Sequence, residues 1–403
     1  MFVHLPPTAA PLSSRALIMG LFGSPRGDTA VAGFEQLLEK YLDTQKVFTF
    51  TSGRAAFRVI LETIKKRPDL HNRKQVILPA YTCPVLVKAV EDAGLVPLLC
   101  DISPDSLDYE PEQLQQLAKQ ETLALVHVHL FGLPREREAL ESAAANSGVL
   151  LIDDACQAMG AELEQRKIGS FGEMGFASFG PGKPLSLGGG GMLSVNSPGW
   201  VSEVEETILG LGGLSRRKPL ASPVAWMRLL ALNFIFQPTG WQLATSLGLH
   251  KMGDDEKNWG YRLSRLTPVQ ARTGLEALAN LESLNRRRRQ SGEALSGALQ
   301  DIPGLKCVTA PTGAVPGYLR FPLLVDNLEM RDRIFQQLSA ARIGVGKMYR
   351  KILPEFFPHL KSGSYPGAEY VARHLLTLPV HKYVKEAHIN HMVKIITGIA
   401  ASG

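Results

Sequence analysis

Between residues 45 and 200 the chain alternates short, almost wholly apolar runs with stretches whose apolar positions recur at helical spacing. KQVILPAY (74–81), LVPLLCDI (95–102), TLALVHVHLFG (122–132) and GVLLIDDA (148–155) read as strands covered on both faces. PVLVKAVEDAG (84–94) and PREREALESAAANSG (134–148) read as amphipathic helices, the second ended by Gly148. This alternation predicts an α/β layout with a largely parallel sheet, whose ligands sit at the carboxyl ends of the strands. From Leu266 the pattern changes to a long helix with Leu275, Leu278, Leu281 and Leu284 on one stripe. A strand (317–326) and a helix (331–341) follow it. The expected organisation is a large α/β domain over 1–260 and a smaller α+β domain over 261–403.

One segment departs from this rhythm. Residues 224–246 are apolar and aromatic, and Arg228, Asn233, Gln237 and Pro238 interrupt them before a bilayer-spanning length is reached. They predict a buried or interface-forming helical excursion, with a peripheral membrane contact through Trp226 and Trp241 as the alternative. The rest of the composition is that of a globular protein, 45% hydrophobic and 20% charged, with a net charge of +6. The densest basic cluster, Arg286 to Arg289, lies inside the long helix and reads as a solvated face, with an anion-binding patch as the alternative and a nucleic-acid site disfavoured. Cys83, Cys100, Cys156 and Cys307 are far apart and form no CxxC pair, which argues against a zinc site or a disulfide framework and suits a reducing cytoplasm. The first residues show no basic run followed by a clean apolar one, so no signal peptide is expected.

Four motifs fall at strand ends. TSGRAAF (51–57) is a small-residue turn opening a helix, a ready anion site through Gly53, Arg54 and Ala55, although plain capping by Ser52 explains it as well. LLIDDACQAMG (150–160) delivers Asp153 and Asp154 at a strand end, with Gln157 three residues on. Paired acids there could bind a metal, yet no histidine or third carboxylate lies nearby in sequence. A buried carboxylate could instead pair with a cationic ring nitrogen, and helix capping is as good a reading of one aspartate. FASFGPGKPLSLGGGG (176–191) sets Ser178 and Lys183 ahead of four glycines, and YRLS (261–264) precedes the long helix.

In combination these motifs meet the needs of pyridoxal 5'-phosphate (PLP): a lysine for a Schiff base, a carboxylate that keeps the pyridine nitrogen protonated, and a phosphate cradle. Lys183, Asp154, and Ser178 with the Gly53–Arg54–Ala55 turn fill these roles, and Gln157 can hydrogen-bond the phenolic oxygen of the ring. The ordered set, with VILPAYTCP, CDISPDSLDYEPEQL, VHLFG, IDDACQAMGA and the late LLTLPVHKYV, resembles the DegT/StrS group of PLP-dependent sugar aminotransferases over nearly the whole chain. The resemblance implies a fold-type-I PLP-dependent transferase with a mostly parallel, seven-stranded type of sheet and a small C-terminal domain. It also implies a homodimer in glycan or polysaccharide biosynthesis that moves an amino group from glutamate to a keto sugar, nucleotide-linked in most relatives. Lys183 would then be both the attachment point and the proton carrier. A PLP sugar dehydratase would replace that lysine with histidine; a non-sugar PLP enzyme and a non-catalytic PLP-binding protein are the other readings.

Three departures from the family pattern stand out. Arg54 replaces a common threonine of the phosphate turn. Gly260, in NWGYR, takes the place of the asparagine that relatives contribute across the dimer. These two changes fit together if Arg54 supplies a charge-assisted contact to the phosphate. Cys83 stands where an aromatic residue often stacks on the pyridine ring, a role that Tyr81 could take over. His129 could approach the site or be a satisfied strand-end histidine, and Arg262 could reach the partner's site or pair locally.

Overall fold

The computed structural model describes residues 3–24, 27–212, 221–248, 260–361 and 363–401. Seven strands form the central sheet: β1 (Lys46–Phe50), β2 (Gln75–Pro79), β3 (Val96–Cys100), β4 (Thr122–Val128), β5 (Leu150–Asp154), β8 (Met174–Ser178) and β9 (Gly191–Val195). A two-residue hairpin, β6 (Glu162–Leu163) and β7 (Arg166–Lys167), lies apart from it. The order is β1-β9-β8-β5-β4-β2-β3, with β9 antiparallel to both of its neighbours and every other pairing parallel. The four runs read as strands in sequence thus lie in the sheet. KVFTF and GMLSV, whose apolar residues are interrupted by Thr49 and Ser194, supply β1 and β9.

Helices α1 (Ser14–Phe22), α2 (Asp28–Leu42), α3 (Gly53–Ile64), α4 (Val85–Asp92), α5 (Pro111–Leu117), α6 (Glu138–Ser147) and α7 (Val201–Gly210) precede or connect the strands. α6 ends where expected, at Gly148 in the left-handed region (φ 65°). The apolar excursion forms two helices, α8 (Ala221–Ile235) and α9 (Pro238–Ser246), with the break at the residue before Pro238. Among the described residues no helix is long and apolar enough to cross a membrane.

Helix α10 (Pro268–Leu299) starts in a reciprocal cap between Thr267 and Gln270 and runs for 32 residues. Beyond it β10 (Leu305–Cys307), β11 (Phe321–Val325) and β12 (Leu375–Leu378) form an antiparallel sheet, covered by α11 (Leu328–Ala340) and α13 (Pro366–His374), with α14 (Glu386–Ala400) packed on α11 and α10; α12 (Leu353–Phe356) is a single turn. One apolar cluster runs through both sheets, from Phe57 and Val126 to Leu323 and Ile396. We propose the domain division at 260/261, with the antiparallel sheet lying wholly on its C-terminal side.

The basic cluster on α10 corrects the sequence reading at one position. Arg286 and Arg287 are exposed, but Arg288 is 1% exposed. Its guanidinium donates to Asn285 Oδ1 at 2.6 Å, Ala9 O at 3.1 Å and Pro184 O at 3.5 Å. The helical period turns one arginine of four inward, where carbonyl oxygens of the N-terminal segment and of the residue after Lys183 meet it.

Candidate active site

The carboxyl ends of β2, β5 and β8 and the end of β1 open on one cavity of about 1030 Å³. Asp154 and Gln157 line it from β5 and the turn beyond, and Ser178 and Lys183 from β8 and its loop. Gly53 and Arg54 come from the first turn of α3; Gly260 and Arg262 come from the strip before α10. Elements spread over more than two hundred residues of sequence therefore meet around one space.

The loop carrying Lys183 is held shut at its base. Phe179 O accepts from Leu187 N at 2.9 Å and from Gly189 N at 3.1 Å, while Phe179 N donates to Gly190 O at 2.8 Å. Gly188, Gly189 and Gly190 take φ of 68°, 148° and 102°, values that side chains oppose, and a Cβ on Gly190 would meet Leu266 Cδ1 at 2.5 Å. The glycines thus let the loop double back, with Lys183 on the cavity wall. Gln270 Nε2 fastens the run by donating to Leu187 O and Gly189 O, both at 3.0 Å. No motif in the sequence pointed to Gln270; its only signal is the cap pattern opening α10.

At the other end, the start of α3 lies tight against β8 and β9. A Cβ on Gly191 would lie 2.3 Å from Gly53 N, and one on Gly53 would lie 3.0 Å from Ser178 Cβ. Ser52 caps α3, its Oγ accepting from Ala55 N at 3.1 Å, so Ala55 spends its N–H inside the helix and does not line the cavity. Ser178 Oγ accepts from Gly180 N at 3.2 Å, which leaves its O–H to donate elsewhere. The Arg54 guanidinium carbon lies 5.6 Å from the centre of the Tyr261 ring. A helix N-terminus, a hydroxyl and a guanidinium converge here, a donor set suited to a phosphate.

Adjacent aspartates at the end of β5 diverge. Asp153 accepts from Gly169 N at 2.6 Å, Phe171 N at 3.2 Å and His129 Nε2 at 2.8 Å. Although burial opposes its charge, His129 and these donors hold its carboxyl below the usual range. Asp154, on the opposite face of the strand, accepts from Cys156 N at 2.8 Å and lines the cavity. Burial pushes its pKa up to about 6, against the downward pulls of Cys156 and the Lys183 ammonium. A carboxyl in that condition suits a cationic partner.

His129 and Tyr81 lie outside the cavity wall. His129 is buried, donates from Nε2 to Asp153, accepts at Nδ1 from Arg135 N at 3.1 Å, and is kept neutral by burial, its pKa lowered to about 4. The structure thus favours the satisfied strand-end histidine. His127, His129 and Asp153 come close enough to suggest a metal cluster, but the Asp153 oxygens are already engaged by three donors. Tyr81 is fully buried; its hydroxyl donates to Met348 O, accepts from Tyr349 N, and its ring meets that of Tyr349 edge-on at 5.7 Å. It is committed to the C-terminal half, and Cys83 lines the cavity in its stead. Gln157 accepts from Phe131 N at 3.1 Å and donates to Tyr349 Oη at 3.4 Å. Arg262 lines the cavity of its own chain. Asn258 and Trp259 of the NWGYR motif lie outside the described residues.

A loop lysine, a buried carboxyl ready to meet a cation, and a phosphate cradle on one cavity fit PLP, and the comparison with known proteins decides the family. The sequence profile of the DegT/DnrJ/EryC1/StrS aminotransferase family matches residues 25–397. The chain belongs to that family. As a member it is a PLP-dependent aminotransferase. It is 28% identical over 361 residues to the dTDP-3-amino-3,4,6-trideoxy-alpha-D-glucose transaminase of Streptomyces venezuelae, covering 88% of this chain and 82% of that one. Its identity to the spore coat polysaccharide biosynthesis protein SpsC of Bacillus subtilis is 23%, over 92% of this chain and 89% of the other. The crystal structure of a DegT DnrJ EryC1 StrS aminotransferase from Brucella abortus superposes with a TM-score of 0.71 at 25% identity, covering 96% and 94% of the two chains.

Proposed function

We propose that this sugar aminotransferase takes an amino group from glutamate and delivers it to a keto sugar carried on a nucleotide, with Lys183 as its catalytic residue. The observation that carries the assignment is the placing of Lys183 and Asp154 on one cavity with the Ser178–Gly53–Arg54 cradle. The named relatives, a dTDP-sugar transaminase and a polysaccharide biosynthesis protein, support a sugar acceptor and a role in glycan assembly. Bound PLP supplies an electron-withdrawing ring that stabilises charge developing on the carbon bearing nitrogen.

The chain's own residues then divide the work. Asp154 holds the proton of the ring nitrogen, and exclusion of water from its buried position strengthens that contact. Ser178, Gly53 and Arg54 hold the phosphate, with Arg54 making up for the glycine at position 260. Gln157 reaches the cavity from a side chain already fixed by Phe131 and Tyr349. Lys183 Nζ would take a proton from the donor's α-carbon and deliver it to the carbon on the far side of the transferring nitrogen, and the stapled loop would hold the amine within reach of both.

Adding glutamate to the PLP-loaded protein should abolish its long-wavelength absorbance, and Lys183→Ala should neither show that band nor respond. A wild-type band that ignores glutamate would remove glutamate as donor. Absence of any PLP binding would overturn the assignment of these residues.

The working assembly in this proposal is a homodimer. Ile18, Phe22, Val224, Met227 and Leu247 are exposed apolar side chains on α1, α8 and the turn after α9, a face that suits a second copy. The competing occupant is an anionic membrane surface, since residues 207–253 contain five Lys or Arg and no Asp or Glu. Light scattering should give twice the chain mass of 44.0 kDa, with no sedimentation on anionic vesicles; a monomer that sediments would reverse the choice. A cytoplasmic setting belongs to the same proposal and is supported by four free cysteines.

A further inference from the structure

Arg228 is the only charged residue of the sequence between Lys218 and Lys251. It sits in the middle of α8, an otherwise uncharged helix whose rotation is fixed by three contacts. Leu229 is buried over the glycine run, its Cδ2 3.5 Å from where a Cβ on Gly188 would stand. Trp226 Nε1 donates to Leu17 O at 3.2 Å, and Asn233 Oδ1 accepts from Leu12 N at 2.8 Å. That rotation sends Val224 and Met227 to solvent and sets Arg228, itself exposed, on the cavity wall. Its Nη1 lies 3.9 Å from the position a Cβ would take on Gly189. No carboxylate among the described residues pairs with it.

Charge makes this placement consequential. The described cavity wall carries Arg54, Lys183, Arg228 and Arg262 against a single carboxylate, Asp154. A phosphate in the cradle answers the cations at the α3 end, and Arg228 stands over the glycine run instead. A guanidinium offers paired N–H donors matched to a carboxylate or a phosphate, and a cavity with surplus positive charge draws anions in.

We propose that Arg228 binds the anionic group of a reaction partner as it settles over the glycine run. Carboxylate and phosphate share the chemistry it recognises; the first would come from the amino donor and the second from a nucleotide-linked acceptor. The proposal rests on the aminotransferase reading for its catalytic consequence, but the binding itself can be tested without turnover.

The test uses the PLP-loaded full-length protein, with Arg228→Ala and Arg228→Lys beside the wild type. Succinate probes the dicarboxylate source and inorganic pyrophosphate the phosphate source, each by calorimetry. Loss of a charge-assisted contact should weaken one probe about ten- to hundredfold in Arg228→Ala, with partial recovery in Arg228→Lys. Weaker succinate binding assigns the donor carboxylate, and a rise in KM for glutamate exceeding any fall in kcat would accompany it. Weaker pyrophosphate binding assigns the acceptor, with the KM of the keto sugar moving instead. Unchanged binding of both probes overturns the proposal. So does a fall in PLP affinity in Arg228→Ala, because Arg228 would then serve the cofactor. Should the wild type fail to transaminate at all, the functional reading falls, and the two calorimetric arms still decide this one.

Discussion

Asp153 and Asp154 share a strand end and a burial depth, yet the fold treats them as different reagents. On one face Asp153 is saturated, by two backbone N–H groups and a neutral histidine that donates to it, and its carboxyl is held low. On the other face Asp154 has one backbone donor and a cavity in front of it, and burial carries its pKa to about 6. A strand alternates its side chains between two environments, so one residue of sequence separates a structural carboxylate from a chemical one. Satisfied charge stabilises a fold; an incompletely compensated charge is available to a ligand.

The largest effect should come from exchanging each acid for its amide. In Asp153→Asn a side-chain amide faces donors that need an acceptor, and breaking such a buried network costs about 3 kcal/mol. The melting temperature should fall clearly, whether or not PLP is present. Asp154→Asn should leave the apoprotein at least as stable as wild type near neutral pH, but lower PLP affinity by about tenfold or more. If both amides destabilised equally and bound PLP equally, the division between the two faces would collapse.

The dependence on pH sharpens the same contrast. The folded pKa of Asp154 lies near 6 and its ordinary value is 3.8, so the unfolded chain gives up this proton first. Its cost to the fold is absent at pH below the ordinary value, grows as pH rises, and is complete above about 6. The distance between these two values amounts to roughly 3 kcal/mol at most. The stability of wild-type apoprotein relative to Asp154→Asn should therefore fall from pH 4 to pH 7 and then level. A flat difference would show that Asp154 titrates as it does in water.

How much of this was legible in the sequence depended on whether the signal was local. The apolar runs of β2, β4, β5 and the segment LLIDDACQ marked both the sheet and its business end, because strand burial and the strand-end turn are written within a few residues. Lys183 and its glycines were equally visible. Burial that is decided by distant chain was not. The inward turn of Arg288 needs Ala9 and Pro184 opposite it, and the fastening of the glycine run needs Gln270 from α10. Arg228 left a trace, a single charge in an apolar helix, but only the seating of α8 shows which way it faces. The surroundings of Tyr81, offered in sequence as a ring-stacking residue beside Cys83, are hidden for the same reason: its partners lie more than 260 residues away.

The smallest expected effect bears on that last pair. If Tyr81 served the cofactor ring, Tyr81→Phe would keep the stacking surface and change little in stability, whereas Tyr81→Leu would cost PLP affinity. The structure gives the opposite order of consequences. The Tyr81 hydroxyl joins two backbone groups, at Met348 and Tyr349, so Tyr81→Phe removes both contacts from a buried site and should cost about 1 to 2 kcal/mol. The absorbance of bound PLP should be unaltered. Because Tyr349 in turn accepts a hydrogen bond from Gln157, the change should also loosen the link between the C-terminal half and the cavity wall. Denaturant unfolding with the PLP spectrum recorded alongside separates the cases. A shifted midpoint with an unchanged spectrum places Tyr81 among the residues that hold the two halves together, and a shifted spectrum with an unchanged midpoint would return it to the site.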